Sequence, residues 1–171
     1  MSIFDVIEGC KGDRRLFPLI PRAAGSSPRR ALLIASELWS FLQEPSEDPE
    51  WEDRKGFLQA DLEVFAEGQP IGPKYLFLLY PAREAVWEIR SARPNPSIRV
   101  LGRFAHKNVF IATNYARRDD LGGWQSRGWR DVKLRSRTIW THLFHTYRPV
   151  ETTDVNDVVS GAINGKYFKT G

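Results

Sequence analysis

The stretch Ser97-Ile98-Arg99-Val100-Leu101-Gly102-Arg103-Phe104-Ala105-His106-Lys107-Asn108-Val109-Phe110-Ile111-Ala112-Thr113-Asn114 decides the fold. It reads as two strands, 98–105 and 109–114, joined by a tight hairpin at Ala105-His106-Lys107-Asn108. Upstream, 74–80 and 84–90 have the same β-branched and aromatic character, and Arg93-Pro94-Asn95-Pro96 turns the chain into the third strand. The result is an antiparallel meander of about four strands. Period-two alternation sends Ile98, Val100, Gly102 and Phe104 to one face and Ser97, Arg99, Leu101 and Arg103 to the other. In the neighbouring strand, Val86, Glu88 and Arg90 alternate against Ala85, Trp87 and Ile89, so arginines of adjacent strands share a surface.

Working outward, Asp48-Pro49 is a helix start, and Trp51, Leu58, Leu62 and Phe65 recur on one helical face until Gly68 caps the end. The acids Glu52, Asp53, Asp61, Glu63 and Glu67 fall mostly off that stripe and read as a solvated face. Ser27-Pro28 repeats the start signal, predicting a helix over 31–43 that Pro45 stops. Residues 4–7 read as a short opening strand, and the glycines and prolines of 9–27 as an irregular insertion. Beyond the meander, Gly122-Gly123 and Gly128 mark a loop. Trp129, Val132, Ser136, Trp140, Leu143 and Tyr147 then mark a last helix. Residues 149–171 read as a loosely attached tail with room for a short helix at 155–162. The expectation is one α+β domain over 1–148, with N-terminal helices and a C-terminal helix on one sheet face. The other face is then free, concave and basic.

The chain has 171 residues, 42% hydrophobic and 27% charged, an ordinary globular composition at one domain's length. Its net charge of +4 hides a separation: residues 37–67 hold ten acids and two bases, residues 83–148 fourteen bases and five acids. A basic half suggests an anionic partner, and pairing between the halves is the plainer alternative. The single cysteine, Cys10, excludes an intrachain disulfide. No apolar run approaches a membrane span, and Met1 to Glu8 lacks the features of a secretory signal, so a cytoplasmic location without membrane attachment is expected.

One pattern resembles a known family. Phe57-Leu58-Gln59-Ala60-Asp61-Leu62-Glu63-Val64-Phe65-Ala66-Glu67-Gly68, Ile71-Gly72-Pro73-Lys74-Tyr75-Leu76, Val86-Trp87-Glu88-Ile89-Arg90, Ile98-Arg99-Val100-Leu101 and Tyr115-Ala116-Arg117-Arg118 follow one another here. Together they are similar to the RelE/HigB toxin superfamily, in particular its phage-derived Gp49-like branch. The resemblance covers 57–118. It implies a RelE-like fold, a small antiparallel sheet with helices on one face. It also implies a toxin of a toxin-antitoxin system: an endoribonuclease that cleaves mRNA, usually on the ribosome, and is neutralised by a cognate antitoxin. Position by position, Arg99 matches the arginine of the strand before the hairpin. Arg118 and Arg117 match the basic pair after the following strand, Tyr115 the aromatic before it, and Arg90 the arginine closing the Glu-Ile-Arg strand. The chain departs from the pattern in three ways: Glu88 stands where some members place lysine, no histidine follows the basic pair, and the chain is longer.

RNA cleavage through the 2′-hydroxyl needs a base, cations for the phosphorane charge and a proton donor to the leaving oxygen. Arg99 and Arg118 suit the cationic role and are implausible bases. A base has to come from His106, Tyr115 or Glu88, and the residues alone do not choose among them. Arg103, Arg127 and Arg130 extend the basic surface for RNA. Trp124, between glycines and Gln125, is the candidate for stacking on a base. His142 and His145 are two ligands at i, i+3 spacing with no acid or cysteine beside them, so neither metal nor cofactor is expected. The rival class is a non-enzymatic basic module of phage origin that grips nucleic acid or an acidic protein. A gyrase-inhibiting branch of the same toxin fold is a second rival, because fold does not fix function.

Overall fold

The meander forms as the alternation predicts. In the computed structural model, which describes residues 1–23 and 29–163, it comprises β3 (Leu76–Leu78), β4 (Trp87–Ser91), β5 (Ile98–His106) and β6 (Val109–Arg117), each antiparallel to the next. The sheet does not stop at four strands. β2 (Ala31–Ala35) adds to β6 in parallel and β1 (Leu16–Pro18) adds to β2 antiparallel, giving a mixed six-stranded sheet of order β1-β2-β6-β5-β4-β3. The architecture is α+β.

Three local readings are corrected by these additions. Residues 4–7 are helical, within α1 (Ile3–Gly12). The Ser2 hydroxyl accepts from the Asp5 N–H while the Asp5 carboxylate accepts from the Ser2 N–H, a capping box that outweighs the apolar alternation. The stretch 9–27 is not one irregular insertion, since it contains the end of α1 and β1, and its residues 24–27 lie outside the described residues. The expected helix 31–43 divides at Ser36. Its first five residues are β2, and only Ser36–Gln43 is helix, α2. Leu32, Leu33, Ile34 and Ala35 are buried on both faces of the sheet, as a parallel interior strand requires, and so short an apolar run carries no period that separates strand from helix. The Ser27-Pro28 start signal lies outside the described residues.

α3 (Pro49–Ala66) starts at the Asp48 cap, ends before Gly68 in the left-handed region (φ 76°), and buries Leu58, Leu62 and Phe65 as its periodicity predicts. Two of its acids leave the solvated-face reading. Glu63 is buried and pairs with Arg22, and Asp61 accepts from Ser91 Oγ at 2.6 Å. α4 (Arg127–Phe144) packs on β5 and β6.

Both faces of the sheet are covered, against the expectation of a free one. On one side, Leu38 of α2 and Leu58, Leu62 and Phe65 of α3 meet Ile34, Ile89, Val100, Phe104 and Phe110. On the other, Ile7 and Cys10 of α1 and Trp140, Leu143 and Phe144 of α4 meet Leu33, Ala35 and Ile111. A smaller cluster of Leu79, Val86, Leu101, Leu121 and Trp129 lies beside it on that side. Nor is the described part of the tail, residues 150–163, loosely attached. Val155, Val158 and Val159 are buried in the α2/α3-side core, and Arg30, itself 3% exposed, donates to Ser160 O at 2.7 Å. Among the described residues no helix is long and apolar enough to cross a membrane.

Candidate nucleic-acid interface

On the α4 side, antiparallel register sets Phe77 of β3, Glu88 of β4, Leu101 of β5 and Asn114 of β6 in one cross-strand row. The adjacent row contains Arg90 directly opposite Arg99. Glu88 is fully buried, with Arg90 Nε 2.8 Å from Oε1 and Arg99 Nε 3.6 Å from Oε2. Two guanidiniums on neighbouring strands would repel without that carboxylate, so Glu88 is what allows them to share a face. Arg90 lies over the Phe77 ring at 4.5 Å. Its side chain is 23% exposed and that of Arg99 14%, so both reach solvent at their ends.

Arg118 completes the group from the single helical turn Arg118–Asp120 after β6. Its guanidinium lies over Trp129 at 5.6 Å and donates to Gly122 O at 2.9 Å. Burial lowers the Arg99 pKa, Glu88 opposes that, and Arg90 and Arg118 lower it further by repulsion. Arg99 therefore feels the Glu88 carboxylate and both other arginines. Such a site favours an anion that accepts several N–H donors, and a phosphate does so.

The remaining expected site residues divide. Tyr115 lies on the opposite face, stacked on Phe41 with ring centroids 4.2 Å apart, and burial raises its pKa, the reverse of what a proton acceptor needs. Arg117 follows it to that side, over Trp51 at 5.9 Å. The cause is a bulge. The register Phe104↔Phe110, Arg103↔Ile111, Gly102↔Ala112 resumes as Leu101↔Asn114, leaving Thr113 extra. Continued unbroken, the inner register would set Arg99 against Tyr115; the bulge sets it against Ala116. The bulge is anchored to α4, where Thr113 Oγ1 lies 2.6 Å from Ser136 Oγ and Asn114 Nδ2 donates to Val132 O at 3.1 Å.

His106 is exposed as the last residue of β5, just before the Lys107-Asn108 turn and beside Phe4, seven residues along the strand from Arg99, about 23 Å at strand rise. It does not join the cluster. Arg103 is on the arginine face but under α4, over Trp140 at 5.5 Å and donating to Glu84 O at 2.6 Å. Burial first, then repulsion from Arg137, pushes its pKa down to about 10. Trp124 meets Tyr80 edge-on at 5.8 Å over a small recess whose other walls are Leu79, Trp129 and Lys133. Arg127 and Arg130 are exposed on the first turns of α4, Arg127 3.7 Å from Asp131.

Sequence reasoning finds Lys133 among the basic residues interleaved with the tryptophans of the last helix but misses Tyr80, whose carbonyl accepts from Lys133 Nζ at 2.6 Å, because the two are 53 residues apart. Glu88 had a signal, its i, i+2 relation to Arg90, but its role as counter-ion was not read from it. Among the described residues no group of three or more His, Cys, Asp or Glu side chains is placed to hold a metal ion.

No family model matches the chain, and no curated protein or solved structure matches it either.

Proposed function

We propose that the protein is an RNA-binding effector that grips the phosphate backbone with Arg90, Arg99 and Arg118. The observation that carries this reading is the gathering of three guanidiniums on one sheet face, Arg90 and Arg99 on the single buried carboxylate of Glu88 and Arg118 close enough to repel Arg99. The resemblance to the RelE/HigB superfamily makes mRNA, engaged on the ribosome in the cytoplasm, the preferred RNA and a cognate antitoxin the protein partner.

Cleavage of the bound mRNA, as in a RelE/HigB-like endoribonuclease, is the second reading, and one observation favours it. Glu88 is a carboxylate set among phosphate-binding arginines, the pairing that 2′-hydroxyl chemistry uses for base and clamp. Its burial and its engagement by both arginines are why binding ranks first. With Tyr115 on the other face and His106 at the far end of β5, neither of the other two candidate bases stands beside it.

The test uses wild type, Arg118→Ala and Arg99→Lys, each verified as folded by circular dichroism. Purified protein is mixed with an mRNA fragment in a gel-shift assay, and mRNA 5′ ends are mapped in induced cells. Loss of the shift in Arg118→Ala is expected, and an undiminished shift in both variants sinks the proposal. New internal 5′ ends that disappear in Arg99→Lys select cleavage, because lysine keeps the charge but loses the bidentate geometry. Unchanged 5′ ends with a retained shift select binding alone.

A further inference from the structure

The arginine cluster is not an isolated patch. Arg118 lies over Trp129, Trp129 walls the recess with Tyr80, Trp124 and Lys133, and Lys133 also lines a second, larger groove of about 610 Å³ beside α4. That groove runs between Glu84, which ends the short turn Ala82–Glu84, and Arg127, Arg130 and Arg137 of α4.

Charge in the groove is unbalanced. Arg103 donates to the Glu84 carbonyl at 2.6 Å, Arg137 Nε stands 3.8 Å from Glu84 Oε2, and Lys133 Nζ donates to Tyr80 O at 2.6 Å. Among the described residues Arg137 alone pairs with the Glu84 carboxylate, which also acts on Arg103 and Lys133, while Glu151 is a second carboxylate acting on Arg103. The fit between them is incomplete, since Arg103 Nε, Arg137 Nε and Glu84 Oε2 are all buried without a hydrogen-bond partner. Burial lowers the pKa of both Arg103 and Lys133; Arg137 adds repulsion to each, Glu84 opposes the shift at both, and Glu151 opposes it at Arg103. The rim carries two more arginines, Arg127 and Arg130, and one acid, Asp131, already paired with Arg127. The groove wall itself carries Arg127, Arg130, Lys133 and Arg137 against Glu84 and Asp131, an excess of positive charge that an anion with several acceptor oxygens relieves.

We propose that the α4 groove is a second phosphate-binding stretch, and that a single-stranded RNA held at Arg99 and Arg118 continues into it across the Tyr80–Trp124 rings. The inference rests on the RNA-binding reading and adds a strand preference to it. Between two cationic segments lies an aromatic step, which an unpaired base can stack on and a base pair inside a duplex cannot. Phosphates are held at both ends and a base in the middle. Tyr80, 47% exposed, and the half-buried Trp124 are the rings that offer a face.

The experiment measures fluorescence anisotropy of a short labelled oligouridine, alone and annealed to oligoadenylate, across a salt series. It compares wild type, Trp124→Ala, the double variant Arg127→Gln/Arg130→Gln, and Arg118→Ala. All four positions lie outside the main core. Trp124→Ala is expected to weaken single-strand binding roughly tenfold and leave duplex binding unchanged. The double variant is expected to weaken both and to flatten the salt slope by about 1.4, two phosphate contacts' worth on a single strand. Single-strand binding that depends on Arg118 but not on Trp124, Arg127 or Arg130 overturns the groove and leaves the cluster reading intact. Dependence on the groove residues without Arg118 keeps the groove and removes the cluster. A wild type that binds neither probe overturns both.

Discussion

With its carboxylate wholly covered and two guanidinium nitrogens within 3.6 Å, Glu88 sets the charge of the candidate interface by cancelling one cation and holding two in place. Replacing it with Gln leaves Arg90 and Arg99 facing each other without a counter-charge. We expect Glu88→Gln to cost about 3 kcal/mol in urea unfolding, the low end for a broken buried pair because both arginines keep partial contact with water. A cost under about 0.5 kcal/mol would show that the pair is solvated and Glu88 incidental. The tyrosines give a second prediction. Burial holds the phenols of Tyr75 and Tyr115 above their usual value of 10.0, so they keep their protons in the fold while the unfolded chain releases them. Stability these groups contribute is present below pH 10 and is lost as the pH rises beyond it. Arg103, pushed down to about 10, acts in the opposite sense over the same range. Comparing thermal unfolding of wild type and Tyr115→Phe from pH 8 to pH 11 isolates the phenol: the variant is expected to lose less stability at the alkaline end. Equal losses would mean that Tyr115 ionises as freely in the fold as outside it.

At the scale of elements, the β5–β6 hairpin shapes the site, because its bulge decides which side chains share a face. Gly102 sits beside it. A Cβ there would lie 2.2 Å from Ile111 O and 2.5 Å from the Phe110 ring, both in the centre of the sheet where neither can retreat. Gly102→Ala is therefore expected to destabilise by about 3 kcal/mol in chemical denaturation, the upper end for overpacking a core. Unchanged stability would mean that the hairpin tolerates a different register. The elements themselves were unequally legible. α3 and the meander could be read because their signals are local: a cap at Asp48, a heptad-like stripe, alternation, and turn residues at 93–96 and 105–108. β2 could not, since Ala31 to Ala35 carries no period, and only its pairing with β6 separates strand from helix.

For the whole molecule, residues 150–163 close the core. Val155, Val158 and Val159 pack beneath α3, Arg30 ties Ser160 O to Phe65 O and Gln69 O, and Ile71 bridges to Ala162. Val158→Ala is expected to lower unfolding stability by about 2 kcal/mol, as for other large-to-small core changes, whereas Glu151→Ala, on the exposed side, should be near neutral. If both are neutral, the segment is dispensable for the fold. The sequence by itself determined the meander, the α3 boundaries, the separation of an acidic stretch from a basic one, and the arginine face of β4 and β5. Each of these is written in residues a few positions apart, where caps, turns and alternation act. Only the tertiary structure decided that the sheet has six strands, that both of its faces are covered, that Tyr115 and Arg117 turn away from Arg99, and that Tyr80 and Lys133 join the surface near Arg118. Those outcomes depend on pairing, a one-residue bulge and burial between segments far apart in the chain, where the free energy comes from contacts that no local window contains.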